Sequence, residues 1–189
     1  MRQGVLLALC PIALSGCQAK PAPGADSARF TNATGDLDSE KSKWVVSSTG
    51  IGRVRFGMTL VALGTALADS AIASTVLTRP CAYVRPKALP PGVGLMISHG
   101  VVVRADVDSA GILTEAGLGV GDSEVAVLVI NSGRVRVESS KYNGPQAHTL
   151  TVADPGDAEH VMVFETDGSR IRTYRAGLRT AAELVERCG

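Results

Sequence analysis

The sequence predicts an α+β fold made of two copies of one helix-plus-meander unit, with a mainly antiparallel β fold as the alternative. Three observations predict it. Gly57-Met58-Thr59 opens a run with Leu60, Leu63 and Leu67, the three- and four-residue spacing of an amphipathic helix that Thr59 can cap. Short β-branched runs divided by Gly turns fill much of the rest. The pattern also returns: Phe56-Gly57-Met58-Thr59 is echoed at Val120-Gly121-Asp122-Ser123, and Gly100 with Arg104 is echoed by Gly168 with Arg172. Two nearly constant offsets are what a duplicated unit with one loop insertion produces.

In chain order, Arg2 precedes an apolar run from Gly4 to Leu14. It is too short to cross a bilayer, which needs about 20 residues, so residues 1–16 read as a signal peptide. The run closes on Leu14-Ser15-Gly16-Cys17, which resembles the lipobox of bacterial lipoproteins. That resemblance implies cleavage before Cys17, a lipid thioether on its sulfur and an acylated new amino terminus, a stable anchor. Gln18 stands where the inner-membrane retention signal carries Asp, so the resemblance implies the outer membrane, on its periplasmic side.

Residues 17–43 read as the lipidated cysteine and a tether. Pro21, Pro23, Gly24 and Gly35 lie among Ala, Ser, Asp and Lys, with Phe30 and Leu37 almost the only large apolar residues. Such a segment cannot bury enough surface to offset its ordering entropy. As a flexible chain it reaches about 25 to 30 Å from the lipid.

Residues 44–189 read as the folded part, with candidate repeats over 44–110 and 111–189. In the first, Cys81 to Val84, Val93 to Ile97 and Val101 to Val107 read as strands, the last two joined by a hairpin turn at Ser98-His99-Gly100. In the second, Val125 to Ile130 is β-favouring by composition, and Asn131-Ser132-Gly133 would suit a hairpin turn after it. The repeat instead predicts a helix there, N-capped by Asp122 or Ser123 and ended at Gly133. Strands follow around Val135 and Val137, Leu150 and Val152, His160 to Glu165 and Ser169 to Tyr174. A last helix is expected over Thr180 to Glu186.

Composition excludes several functions. Of 189 residues, 19 are Lys or Arg and 18 Asp or Glu, and loss of the signal removes Arg2 and balances the two. No net charge remains to attract nucleic acid. Aromatics make up 4%, too few for extended stacking platforms. Cys10 leaves with the signal and Cys17 takes lipid, so Cys81 and Cys188 are an even pair in an oxidising compartment, which predicts a disulfide. Two free thiols or a metal site are the alternatives, and neither cysteine has zinc or redox spacing.

The search for chemistry predicts no enzyme, no cofactor and no metal. His99, His148 and His160 lack ligand spacing, and there is no nucleophile elbow or phosphate-cradling Gly loop. Asp106 and Asp108 alternate on one strand, as a Ca²⁺ site or an acid–base pair would, or as a polar strand end does. The most suggestive residues are basic: Arg53-Val54-Arg55, Arg134-Val135-Arg136 and Arg170-Ile171-Arg172. Period-two geometry puts both arginines of each triplet on one strand face, and forked donors suit phosphates and carboxylates.

The Gly-Met-Thr helix opening followed by a β meander on a lipid-tethered chain resembles the BamE (SmpA/OmlA) lipoprotein domain and the similar β-lactamase-inhibitor-protein fold. The resemblance rests on Arg55-Phe56-Gly57-Met58-Thr59 and, less closely, on Val120-Gly121-Asp122-Ser123, where Met-Thr is missing. It implies a tandem pair of helix–loop–helix plus antiparallel meander units. It also implies a non-enzymatic role, as an accessory scaffold in outer-membrane assembly or an inhibitor-like grip on an enzyme. The expectation is an outer-membrane lipoprotein that binds another cell-envelope protein, held to the membrane through Cys17. The alternative is a module binding lipopolysaccharide or peptidoglycan through Arg53, Arg55, Arg134, Arg136, Arg170 and Arg172.

Overall fold

Val102, Val103, Ala105 and Val107 alternate with Arg104 and Asp106 in a run where every position is buried, as in a strand covered on both faces. This strand, β6 (Val101–Val107), sits inside a seven-stranded antiparallel sheet. The computed structural model describes residues 43–69, 72 and 79–188. The signal segment, Cys17 and the tether up to residue 42 lie outside the described residues. Those described belong to a single unit of the chain, Ala33–Gly189.

The chain begins with a small sheet of two-residue strands, β1 (Val46–Ser47), β2 (Gly50–Ile51) and β3 (Val54–Arg55). Helix α1 (Leu60–Leu67) follows, then β4 (Cys81–Val84), β5 (Val93–Ser98) and β6. Helix α2 (Glu124–Ile130) leads into β7 (Val135–Ser139), β8 (His148–Val152), β9 (His160–Thr166) and β10 (Ile171–Leu178), and α3 (Arg179–Ala182) ends the series. The large sheet runs β4-β5-β6-β10-β9-β8-β7. Two meanders are thus joined by the pairing of β6 with β10, in which Tyr174 faces Val107 and Ala176 faces Ala105.

One face of this sheet carries the main core. Leu95, Ile97, Val107, Leu150, Phe164 and Tyr174 pack there with Leu60, Leu63 and Leu67 of α1, Val127 of α2 and Val46, Ile51 and Val54 of the small sheet. Residues of opposite parity form the other face. Met96 and Val103 pack there with Ala181, and Val161 and Val163 with Ala182, beneath the C-terminal segment.

The expected tandem of helix–loop–helix α+β units does not form. Among the described residues, ten strands in two sheets and three short helices of 8, 7 and 4 residues make the fold mainly antiparallel β, the alternative reading. Each helix is too short to form a layer of its own and instead plugs one stretch of a sheet whose β-branched strands bury both faces.

Local expectations fare better. Thr59 Oγ1 accepts from Ala62 N at 3.3 Å and caps α1. Ser123 Oγ accepts from Ala126 N at 3.1 Å and caps α2, so residues 124–130 are helix and not strand. Asn131, rather than Gly133, is the C-cap. The β5–β6 turn is His99-Gly100, with φ of 49° and 78°, the paired positive values of a type I′ hairpin.

The two helix starts dock on hairpins in the same way. Gly57 N donates to Val102 O and Leu60 N to Gly100 O, while Val102 N donates to Met58 O. Gly121 N donates to Ile171 O and Glu124 N to Ser169 O, while Ile171 N donates to Asp122 O. Because β6 and β10 are antiparallel neighbours, the two junctions lie toward opposite ends of the large sheet.

The last helix is shorter than expected, and buried arginines account for it. Helix spacing would commit the Ala181 and Ala182 carbonyls to Val185 and Glu186. Arg104 Nη1 instead donates to Ala181 O at 3.0 Å and Leu184 O at 2.8 Å, and Arg175 Nε donates to Ala182 O at 2.6 Å. Beyond Ala182 the chain becomes an irregular strap across the sheet.

Candidate binding surfaces

Helices α1 and α2 present an unusual outer side. A helix covering a soluble domain ordinarily turns charged and polar side chains outward. The sequence of α1, LVALGTAL, contains no charged residue. In α2, EVAVLVI, the sole charge is Glu124, which is buried. Val125, Val129 and Ile130 of α2 are 64%, 69% and 47% exposed, and Val61 of α1 is 73% exposed. Both helices face away from the same side of the large sheet, so this uncharged aliphatic surface belongs to one side of the fold.

Glu124 is buried because it anchors α2. His148 Nδ1 lies 2.9 Å from its Oε1, and the Thr166 hydroxyl donates to its Oε2. A first-turn carboxylate also suits the positive end of the helix. The other histidines are likewise engaged: His160 Nδ1 lies 2.9 Å from Asp157, and His99 Nδ1 lies 3.0 Å from Ser98 Oγ in its turn. Among the described residues no group of three or more His, Cys, Asp or Glu side chains is arranged to hold a metal ion.

The arginine triplets obey the period-two rule locally, with Val54 and Ile171 fully buried between exposed arginines. They do not share one element. Arg53 lies in the turn before β3 and Arg55 on β3 of the small sheet, where Arg55 Nη1 donates to Gly52 O at 2.7 Å. Arg134 precedes the edge strand β7 and pairs with Asp154, and Arg136 bridges Glu138 and Glu183 at 2.7 and 3.0 Å. Arg170 donates to Gly121 O at 2.8 Å, and Arg172 pairs with Asp167 in the β9–β10 turn. Strands β8 and β9 separate β7 from β10, about 14 Å at normal strand spacing.

Cys81 and Cys188 stand at disulfide distance, with sulfurs 2.00 Å apart and Cα atoms 5.5 Å apart. The link ties the strap to β4. Asp106 and Asp108 are each committed to an arginine: Asp106 takes a forked pair from Arg104, at 3.0 and 2.9 Å, and Asp108 takes Arg85 at 2.5 Å. Between these pairs the Tyr83 ring is flanked by Arg187 at 4.6 Å and Arg85 at 5.7 Å, and burial pushes its phenol pKa up.

Sequence reasoning missed Arg104 and Arg175, which are 1% and 4% exposed. The available signal was a charged residue inside an otherwise apolar strand, Val102-Val103-Arg104-Ala105 and Tyr174-Arg175-Ala176. Buried charge requires dedicated partners, and here those are Asp106, Glu165 and the strap carbonyls.

Two further concavities flank the core. One, of about 560 Å³, lies where the chain enters the fold and is lined by Trp44, Leu89, Pro90, Pro91 and Ile112. The other, of about 310 Å³, lies between the small sheet and β8–β9, lined by Ser47, Thr114, Arg134, Asp154 and Phe164 among others. Compared with protein-family models, with curated proteins and with solved structures, the chain matches none.

Proposed function

We propose that this chain is a lipid-anchored protein of the bacterial outer membrane, facing the periplasm, that docks a second envelope protein on the uncharged side formed by α1 and α2. The observation that carries the reading is the exposure of Val125, Val129 and Ile130 on a helix whose single charge is turned inward. Val125 and Val129 stand one turn apart on α2, exposed aliphatic surface of this kind is an ordinary mark of an interaction site, and burying it against a partner returns roughly 25 cal/mol per Å². The Leu14-Ser15-Gly16-Cys17 lipobox and the Pro- and Ser-containing segment after it supply the membrane attachment and the reach.

A photo-crosslinking residue placed at Val129 in intact cells, with Thr180 on the opposite side as control, tests the reading. A discrete protein adduct from position 129 and none from position 180 is the expected result. Adducts to lipid or glycan alone, or equal protein labelling at both positions, would overturn it. Cys17→Ala is expected to move the protein from the membrane fraction to the soluble periplasm, and continued partition into detergent would refute the anchor.

A further inference from the structure

A third cavity lies on the strap side of the sheet, away from α1 and α2, with a volume of about 270 Å³. Strand register builds one wall of it: Glu138 of β7 stands opposite Thr149 of β8, which stands opposite Glu165 of β9. Glu183 of the strap and the loop residues Tyr142 and Asn143 complete it. Arg175 also lines this space and is 4% exposed. Its Nε is taken by Ala182 O and its Nη1 by Glu165, but its Nη2 has no hydrogen-bond partner. Among the described residues the only other buried side-chain polar atom so placed is the Tyr83 hydroxyl.

A buried guanidinium donor without an acceptor costs on the order of 1–3 kcal/mol, and a ligand that supplies the acceptor recovers that. The charges around the cavity restrict what the ligand can be. A simple anion would meet Glu138, Glu165 and Glu183, already paired with Arg136, Arg175 and Arg179 and so offering it no free cation, and a simple cation would meet Arg175 and Lys141. A neutral polyhydroxy ligand avoids both conflicts, because each hydroxyl can accept from a guanidinium and donate to a carboxylate. Tyr142 adds an apolar ring face. Its side chain is 61% exposed yet held in place, the hydroxyl donating to Glu186 at 2.7 Å. Asn143 Nδ2 reaches Glu165 Oε2 at 3.4 Å, so the loop is tied to the wall beneath it.

We propose that this cavity is a carbohydrate-binding site for one neutral sugar residue, held by Arg175, the carboxylates across β7–β9 and the face of Tyr142. The volume equals roughly nine waters at about 30 Å³ each, room for one pyranose ring. The site is separate from the docking side of the fold, so either can fail without the other.

The test is an amide NMR titration of the full chain in detergent with D-glucose and with N-acetylglucosamine, and in parallel with inorganic phosphate and D-alanyl-D-alanine. The expected result is saturable, millimolar sugar binding that shifts Asn143 and Glu165. Tyr142→Ala and Glu138→Gln, both at exposed positions, are each expected to weaken it tenfold or more with the urea midpoint unchanged. Saturation by phosphate or the dipeptide but not by either sugar, no sugar-dependent shift at all, or sugar binding indifferent to both variants would each overturn the proposal. Arg175→Lys keeps the charge but loses the fork. A folded Arg175→Lys protein that still binds sugar at full strength would overturn the role given to Nη2.

Discussion

Arg104 donates from Nη1 to the carbonyl oxygen of Ala181, 3.0 Å away in space and 77 residues later in sequence. The same guanidinium grips Asp106 with Nε and Nη2. One side chain thus fastens the strap to the middle of the sheet while neutralising the only carboxylate beside it on β6.

Replacing Arg104 by Met should therefore destabilise strongly. Breaking a buried pair by removing one partner costs about 3–5 kcal/mol, because the surviving charge stays buried. Asp106 would keep only Arg187, at 3.7 Å. The Arg104→Met, Asp106→Leu double variant should recover much of that loss. Urea unfolding checks both, and a single-variant loss below about 1 kcal/mol would show that the pair is dispensable.

The Cys81–Cys188 link closes a loop across a sequence separation of 107. Its removal is expected to cost about 2–5 kcal/mol. Cys188→Ser should lower the unfolding midpoint and free residues 183–187 to exchange amide hydrogens rapidly. Reductant should reproduce the effect in the parent protein and do nothing further to the variant. An unaltered midpoint in Cys188→Ser would contradict the pairing.

Acid should loosen the β9–β10 turn. Asp167 accepts the backbone N–H groups of Arg170 and Ser169, and beside them the Arg172 guanidinium; together these hold its carboxyl down at about 2, from an ordinary 3.8. A depressed carboxylate contributes stability above its unfolded pKa and loses it as pH falls through the folded one. The loss is therefore expected between about pH 4 and pH 2. Carboxyl carbon shifts through that range check it. Arg172→Ala should move the midpoint up less than loss of the backbone donors would, and a wild-type midpoint near the ordinary value would refute the arrangement.

At the other end of the scale, Tyr174 is buried in the core with its hydroxyl donating to Ile112 O at 2.9 Å. Burial raises its pKa well above the usual phenol range. A raised acid favours the folded state below its unfolded pKa and loses that advantage as pH climbs, so stability should fall from about pH 10 upward. Tyr174→Phe strands the Ile112 carbonyl and should cost about 1–3 kcal/mol near neutrality. It should also flatten the alkaline decline, which an ultraviolet phenolate titration against denaturation midpoint would reveal.

Legibility from the sequence followed the range of the interactions. Helix α1 was readable because Leu60, Leu63, Leu67 and Thr59 lie within one short window, and the His99-Gly100 hairpin because a two-residue turn sets its own register. Helix α2 overrode the β preference of Val125 to Ile130 through two contacts, the Ser123 cap and the Glu124 anchor to His148 and Thr166. Only the second reaches beyond the local window. Strands of two residues, such as β1 to β3, are too short to show a period. The end of α3 could not be read from its strong helix formers, because Arg104 and Arg175 decide it from distant strands. The arginine triplets showed which side chains point outward; which elements stand side by side is set by sheet order, a tertiary fact.

Strand β10 lies between β6 and β9, hydrogen-bonded to both, although it is the last strand in the chain. Until residues 171–178 take their place, β6 and β9 each lack the partner that lies between them, and both keep an unpaired inner edge. Those edges are sticky templates for stray strands. A chain stalled or cut before Ile171 should for that reason aggregate rather than fold into two stable halves. The last strand in the chain is thus the one that joins the two meanders into a single sheet.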